Sequence, residues 1–157
     1  MTIGETRTTP TPRVRGTAVR SIRRASFAMT VVLLVQFGLG IGVNLFVALP
    51  CKDKGAGLGG AVANGPAAVS IHAVLSLALI VIALALIIRA ATIRRGSIIA
   101  LAVLGMAALT SAAINGTRFV GTGQNGASMA MALAWAVAML CYLSILFIAG
   151  RDRPVRR

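Results

Sequence analysis

Four uninterrupted apolar runs dominate the chain, at residues 27–49, 67–91, 97–119 and 128–149, separated by short polar or glycine-rich stretches. As a helix, even the shortest run would be about 33 Å long, enough to cross a hydrocarbon core of about 30 Å. An open strand would leave its backbone groups unpaired in lipid, so the pattern predicts helix for all four. The expected fold is all-α: a polytopic membrane protein with four antiparallel transmembrane helices in an up-down-up-down bundle. Residues 26–150 then form one transmembrane domain, with no room for a soluble catalytic domain.

The flanks differ sharply from the runs. Residues 1–25 carry six arginines against the single acid Glu5. The stretch Thr8-Thr9-Pro10-Thr11-Pro12 opposes regular structure, which predicts a flexible basic tail. Residues 151–157 form a second basic tail. The first connector, 50–66, holds Cys51, Lys52, Asp53, Lys54 and a run of glycines. Pro66 suits the first turn of the second helix, where its missing N–H costs nothing. The second connector is a tight turn over 92–96. The third, 120–127, contains Gly121, Gly123 and Gly126.

Composition narrows the class further. The chain is 57% hydrophobic and only 12% charged, with a mean hydropathy of +0.88. Soluble domains carry about 25% charged residues. An ordinary cytosolic protein, a disordered chain and a nucleic-acid-binding globule are thereby excluded. The net charge of +13 is distributed unevenly. Placing both termini and the second connector, with Arg89 at its edge, on one side gathers thirteen of the sixteen basic residues there. The positive-inside rule then predicts cytoplasmic termini, and the charge favours anionic lipid rather than nucleic acid as partner. The first apolar run exceeds the 7–15 residues of a signal-peptide core and is expected to be retained. Cys51 falls on the outer, oxidising side, either as an unpaired thiol or paired between chains. Cys141 lies deep in the fourth run, out of its reach.

Arginine outnumbers lysine and alanine is abundant, the coding bias of a high-GC bacterium. Three stretches carry a resemblance: Gly-Ile-Gly-Val-Asn-Leu-Phe-Val-Ala-Leu-Pro at 40–50, Ile-His-Ala-Val-Leu at 71–75 and Ser-Met-Ala-Met-Ala at 128–132. In these the chain resembles small four-helix integral membrane proteins of high-GC Gram-positive bacteria. The resemblance implies a bacterial plasma-membrane protein and brings no activity with it.

Candidate chemistry is sparse. No Asp or Glu lies within the four runs. Ion-coupled carriers usually place a carboxylate there. Nucleophile–base pairs, phosphate loops and multi-ligand metal sites are not evident, so the chain is expected not to be an enzyme. The notable polar residues are Asn44, His72, Ser76, Ser111, Asn115 and Ser128, all expected in the outer half of the membrane. Such groups are costly in lipid and should face the bundle. His72, the only histidine, fits three roles. These are a hydrogen-bonded staple to Asn115, Ser128 or a carbonyl, a proton-linked or substrate-binding group, and a haem or metal ligand. Met131, on a helical stripe with Ser128, Ala132, Trp135, Met139 and Tyr142, would supply a second axial ligand for haem b.

Small residues point to close helix contact: Gly38 and Gly42 as a GxxxG in the first helix, Gly105 and Gly116 in the third. Gly38 and Gly42 could also form a homodimer seam. The first functional expectation is a non-enzymatic accessory or assembly partner of other membrane proteins. The alternative is a ligand- or haem-binding protein with an outer-leaflet pocket lined by Asn44, His72, Ser76, Asn115, Met131 and Trp135. A passive channel is disfavoured, since deep polar groups are limited to Gln36, Thr110 and Tyr142 with weaker neighbours.

Overall fold

The computed structural model describes residues 12–46 and 57–151. It contains five helices: α1 (Pro12–Phe46), α2 (Gly57–Asn64), α3 (Ala67–Ile93), α4 (Gly96–Thr122) and α5 (Asn125–Gly150). The four long ones are long and apolar enough to cross a membrane. The all-α, four-span bundle expected from the apolar runs is therefore present, and the chain has the character of a multi-pass helical membrane protein. Cys51 and its neighbours in the first connector lie outside the described residues.

The helix ends depart from the sequence expectation. α1 starts at Pro12, so residues 12–25 are helical rather than a flexible tail. Proline is tolerated in a first helical turn, and arginine is a good helix former, so the polar segment has no reason to stop the helix. At 1.5 Å per residue the 35 residues of α1 reach about 52 Å, well beyond a hydrocarbon core of about 30 Å. The glycine-rich first connector contains a helix, α2, tied to α3 by a hydrogen bond from Ser70 Oγ to the Val62 carbonyl at 2.9 Å. The third connector shrinks to Gly123 and Gln124. Gly123 takes the left-handed conformation (φ 68°), and its N–H closes the end of α4 on the Phe119 carbonyl at 2.8 Å.

The turn between α3 and α4 shows another local difference. Its left-handed residue is Arg94 (φ 54°), although Gly96 stands two positions away. Gly96 instead opens α4.

Each long helix packs chiefly on two neighbours, in the cyclic order α1, α3, α4, α5, with α4 and α5 the most closely packed pair. The core along the bundle axis includes Ile22, Met29, Leu33, Leu79, Leu86, Ile98, Tyr142 and Ile145, all essentially inaccessible. Only 22% to 28% of each span is buried by the protein itself. Phe27, Val81, Ile88, Leu140 and Phe147 point outward, a surface fit for hydrocarbon rather than water. The expected packing glycines divide. A Cβ at Gly105 would lie 2.9 Å from Tyr142 Cζ, and one at Gly116 would lie 3.3 Å from Met131 Sδ. These two glycines admit the side chains of α5. Among the described residues, nothing from outside the local backbone of α1 comes within 4 Å of a Cβ at Gly38 or Gly42, so their face is open there.

Candidate functional site

The polar residues meet on the facing sides of α1 and α3. His72 and Ser76 are four residues apart and share one face of α3. Ser76 Oγ donates to the His72 carbonyl at 2.9 Å, the usual bond of a helical serine to the preceding turn. Opposite them stands Gln36, only 5% exposed. Its Nε2 is within hydrogen-bonding reach of three acceptors: the His72 carbonyl at 2.9 Å, His72 Nε2 at 3.3 Å and Ser76 Oγ. Two amide hydrogens thus serve three acceptors. With Gln36 donating to Nε2, the imidazole proton belongs on Nδ1. Room for the ring comes from Gly40, one turn along from Gln36, where a Cβ would lie 3.1 Å from His72 Cε1.

A second contact pins α5 to α1. The Trp135 indole donates to the Leu33 carbonyl at 3.0 Å, and its ring stacks on Phe37 with centroids 4.3 Å apart. These side chains border a cavity of about 380 Å³ to which all four long helices contribute. Its volume falls in the range of small-molecule sites. Leu33, Val69, Leu79, Leu109 and Phe119 make much of the wall apolar, and among the described residues no Asp, Glu, Lys or Arg lines it. Two buried polar atoms beside it, Gln36 Oε1 and His72 Nδ1, have no hydrogen-bond partner among the described residues. Each such orphan costs roughly 1–3 kcal/mol if left unpaired.

The cavity brings together Asn44, His72, Ser76, Met131 and Trp135, five of the six residues expected to line a pocket. Asn115 does not line it. Its amide donates to the Ser111 carbonyl of its own helix at 2.8 Å, so it is not the partner of His72. Ser128 lines the cavity but does not bond the imidazole. His72 and Met131 share the cavity, yet His72 Nε2 faces the Gln36 amide and Met131 Sδ abuts Gly116. Gln36 is the residue that sequence reasoning assigned elsewhere. The signal was present: Gln36, Gly40 and Asn44 recur every four residues on α1, as do His72 and Ser76 on α3. The stripes show that each helix has a polar face, but not which of their residues stand level with one another.

The arrangement can donate and accept hydrogen bonds to an uncharged polar group. Ser76 points to the His72 carbonyl and not to its ring, so these two side chains do not form a nucleophile–base pair. Among the described residues, Cys141 is a buried free thiol, and no cluster of three His, Cys, Asp or Glu exists to hold a metal. No family model, curated protein or solved structure matches the chain.

Proposed function

We propose that this chain is a non-enzymatic membrane protein that holds a mainly apolar small molecule within its helix bundle. The observation that carries this reading is the four-helix cavity with the Gln36–His72–Ser76 cluster in its wall. We place both termini in the cytoplasm of a bacterial plasma membrane, with the cavity in the outer half of the bilayer. The pairing of Ser21 with Arg89 and of Gln36 with His72 supports opposite directions for α1 and α3.

The test is native mass spectrometry of the protein extracted in mild detergent. A retained small molecule is expected, and it should be lost in Ala113→Phe, which puts an aromatic ring into the cavity wall. Wild type and Ala113→Phe that carry the same adducts would overturn the reading. A Soret band in the visible spectrum would identify the occupant as haem b.

A second reading, an accessory role through contact with another membrane protein or a second copy, is favoured by the open face at Gly38 and Gly42. Purification with a stoichiometric partner, lost in Gly38→Leu, would support it. Recovery of the chain only as a monomer would count against it.

A further inference from the structure

The wall of the cavity specifies the polar end of its ligand, an inference that rests on the ligand-binding reading above. Among the described residues no charged side chain lines the cavity, which disfavours a phosphate, carboxylate or ammonium head, since it would be desolvated there without a counter-charge. The two unpartnered atoms are of opposite kinds. Gln36 Oε1 is an acceptor in need of a donor, and His72 Nδ1, carrying the ring proton, is a donor in need of an acceptor. An ether, ester or ketone satisfies only the second, and an alkane satisfies neither. A hydroxyl satisfies both from one atom.

We infer that the cavity selects a neutral amphiphile whose single hydroxyl is bound by Gln36 and His72, with its hydrocarbon tail in the apolar part of the bundle. Both atoms lie beneath the cavity wall, so the hydroxyl reaches them by shifting the Gln36 amide. The tail has a way out to lipid. Leu77 on α3 and Ile114 on α4 line the cavity and are about half exposed, at 50% and 53%, so the wall is open at these two residues. A long-chain alcohol, a monohydroxy isoprenoid and a sterol share this chemistry.

Trp135 is the only tryptophan and borders the cavity, so its fluorescence reports occupancy. The full-length protein in mild detergent is titrated with bromoundecanol and, separately, with the methyl ether of the same compound, in which the hydroxyl hydrogen is replaced. Quenching in Ala113→Phe serves as the baseline for probe dissolved in the micelle. The alcohol should reach half-quenching at a concentration roughly threefold to tenfold lower than the ether, the worth of one net hydrogen bond. Gln36→Leu should abolish the difference between the two probes. Equal curves for the two probes in the wild type would overturn the hydroxyl inference and leave the cavity reading standing. Wild-type quenching by both probes that matches Ala113→Phe would overturn both. The wild-type comparison decides even if Gln36→Leu does not fold.

Discussion

Gly105 and Gly38 are the same residue within apolar helices, yet their surroundings are opposite. The Tyr142 ring occupies the space where a Cβ of Gly105 would go, at 2.9–3.1 Å. Gly105→Ala should therefore push Tyr142 out of place and destabilise the bundle by roughly 1–3 kcal/mol, the usual effect of overpacking. Gly38→Ala meets nothing and should be neutral or gain up to about 1 kcal/mol from helix propensity. Thermal unfolding in detergent compares the two directly. Loss of stability in Gly38→Ala, or none in Gly105→Ala, would contradict this packing. The same contrast shows what sequence can reveal at this scale. Small residues mark candidate contacts, but a glycine facing lipid and a glycine facing a tyrosine carry the same letter. His72 was legible as the central polar residue because it stands alone. Its partner Gln36 was not, because a single α1 residue does not disclose which side chain of α3 lies at its depth.

At the scale of elements, the four apolar runs were enough to place four helices, since lipid leaves the backbone no other economical choice. Their ends were harder to read. Glycines at 121, 123 and 126 resembled a loop, yet the helices consume all but Gly123 and Gln124. Arginines at 13–24 resembled a tail because hydropathy reports what lies in hydrocarbon, not what is helical. The extension of α1 is tied down by the Ser21 hydroxyl, which accepts from Arg89 Nη1 at 2.8 Å. The α3–α4 turn offers a sharper test. Arg94 holds a left-handed conformation that costs an L-residue about 1–2 kcal/mol relative to glycine. Arg94→Gly should raise the unfolding free energy by about 1 kcal/mol. An unchanged or lower melting temperature would show that the arginine side chain compensates for its backbone.

For the whole molecule, the asymmetry of charge remains the basis of the proposed orientation. Reporter fusions after Gln124 should read as external, and fusions after Arg95 and Arg157 as internal. An external reading for the C-terminal fusion would overturn the topology. The cavity was partly legible at this scale: five of its expected lining residues converge, because polar groups in adjacent helices at one depth have few other places to go. Asn115 escaped the pattern because a helix offers its own carbonyl, which satisfies an amide without any neighbour.

The cyclic order of the helices has a consequence for the connectivity of the chain. α1 and α5, the first and last helices, are direct neighbours, joined by the Trp135–Phe37 stack and the bond to the Leu33 carbonyl. With both termini on one face, as proposed, a short linker could join the end of α5 to the start of α1. Opening the ring between Arg94 and Arg95 would then give a circular permutant in the order α4, α5, α1, α2, α3, its new ends on the same face as the old. Every helix pair would keep its neighbours, and the cavity would be built by a chain that enters the bundle at a different point.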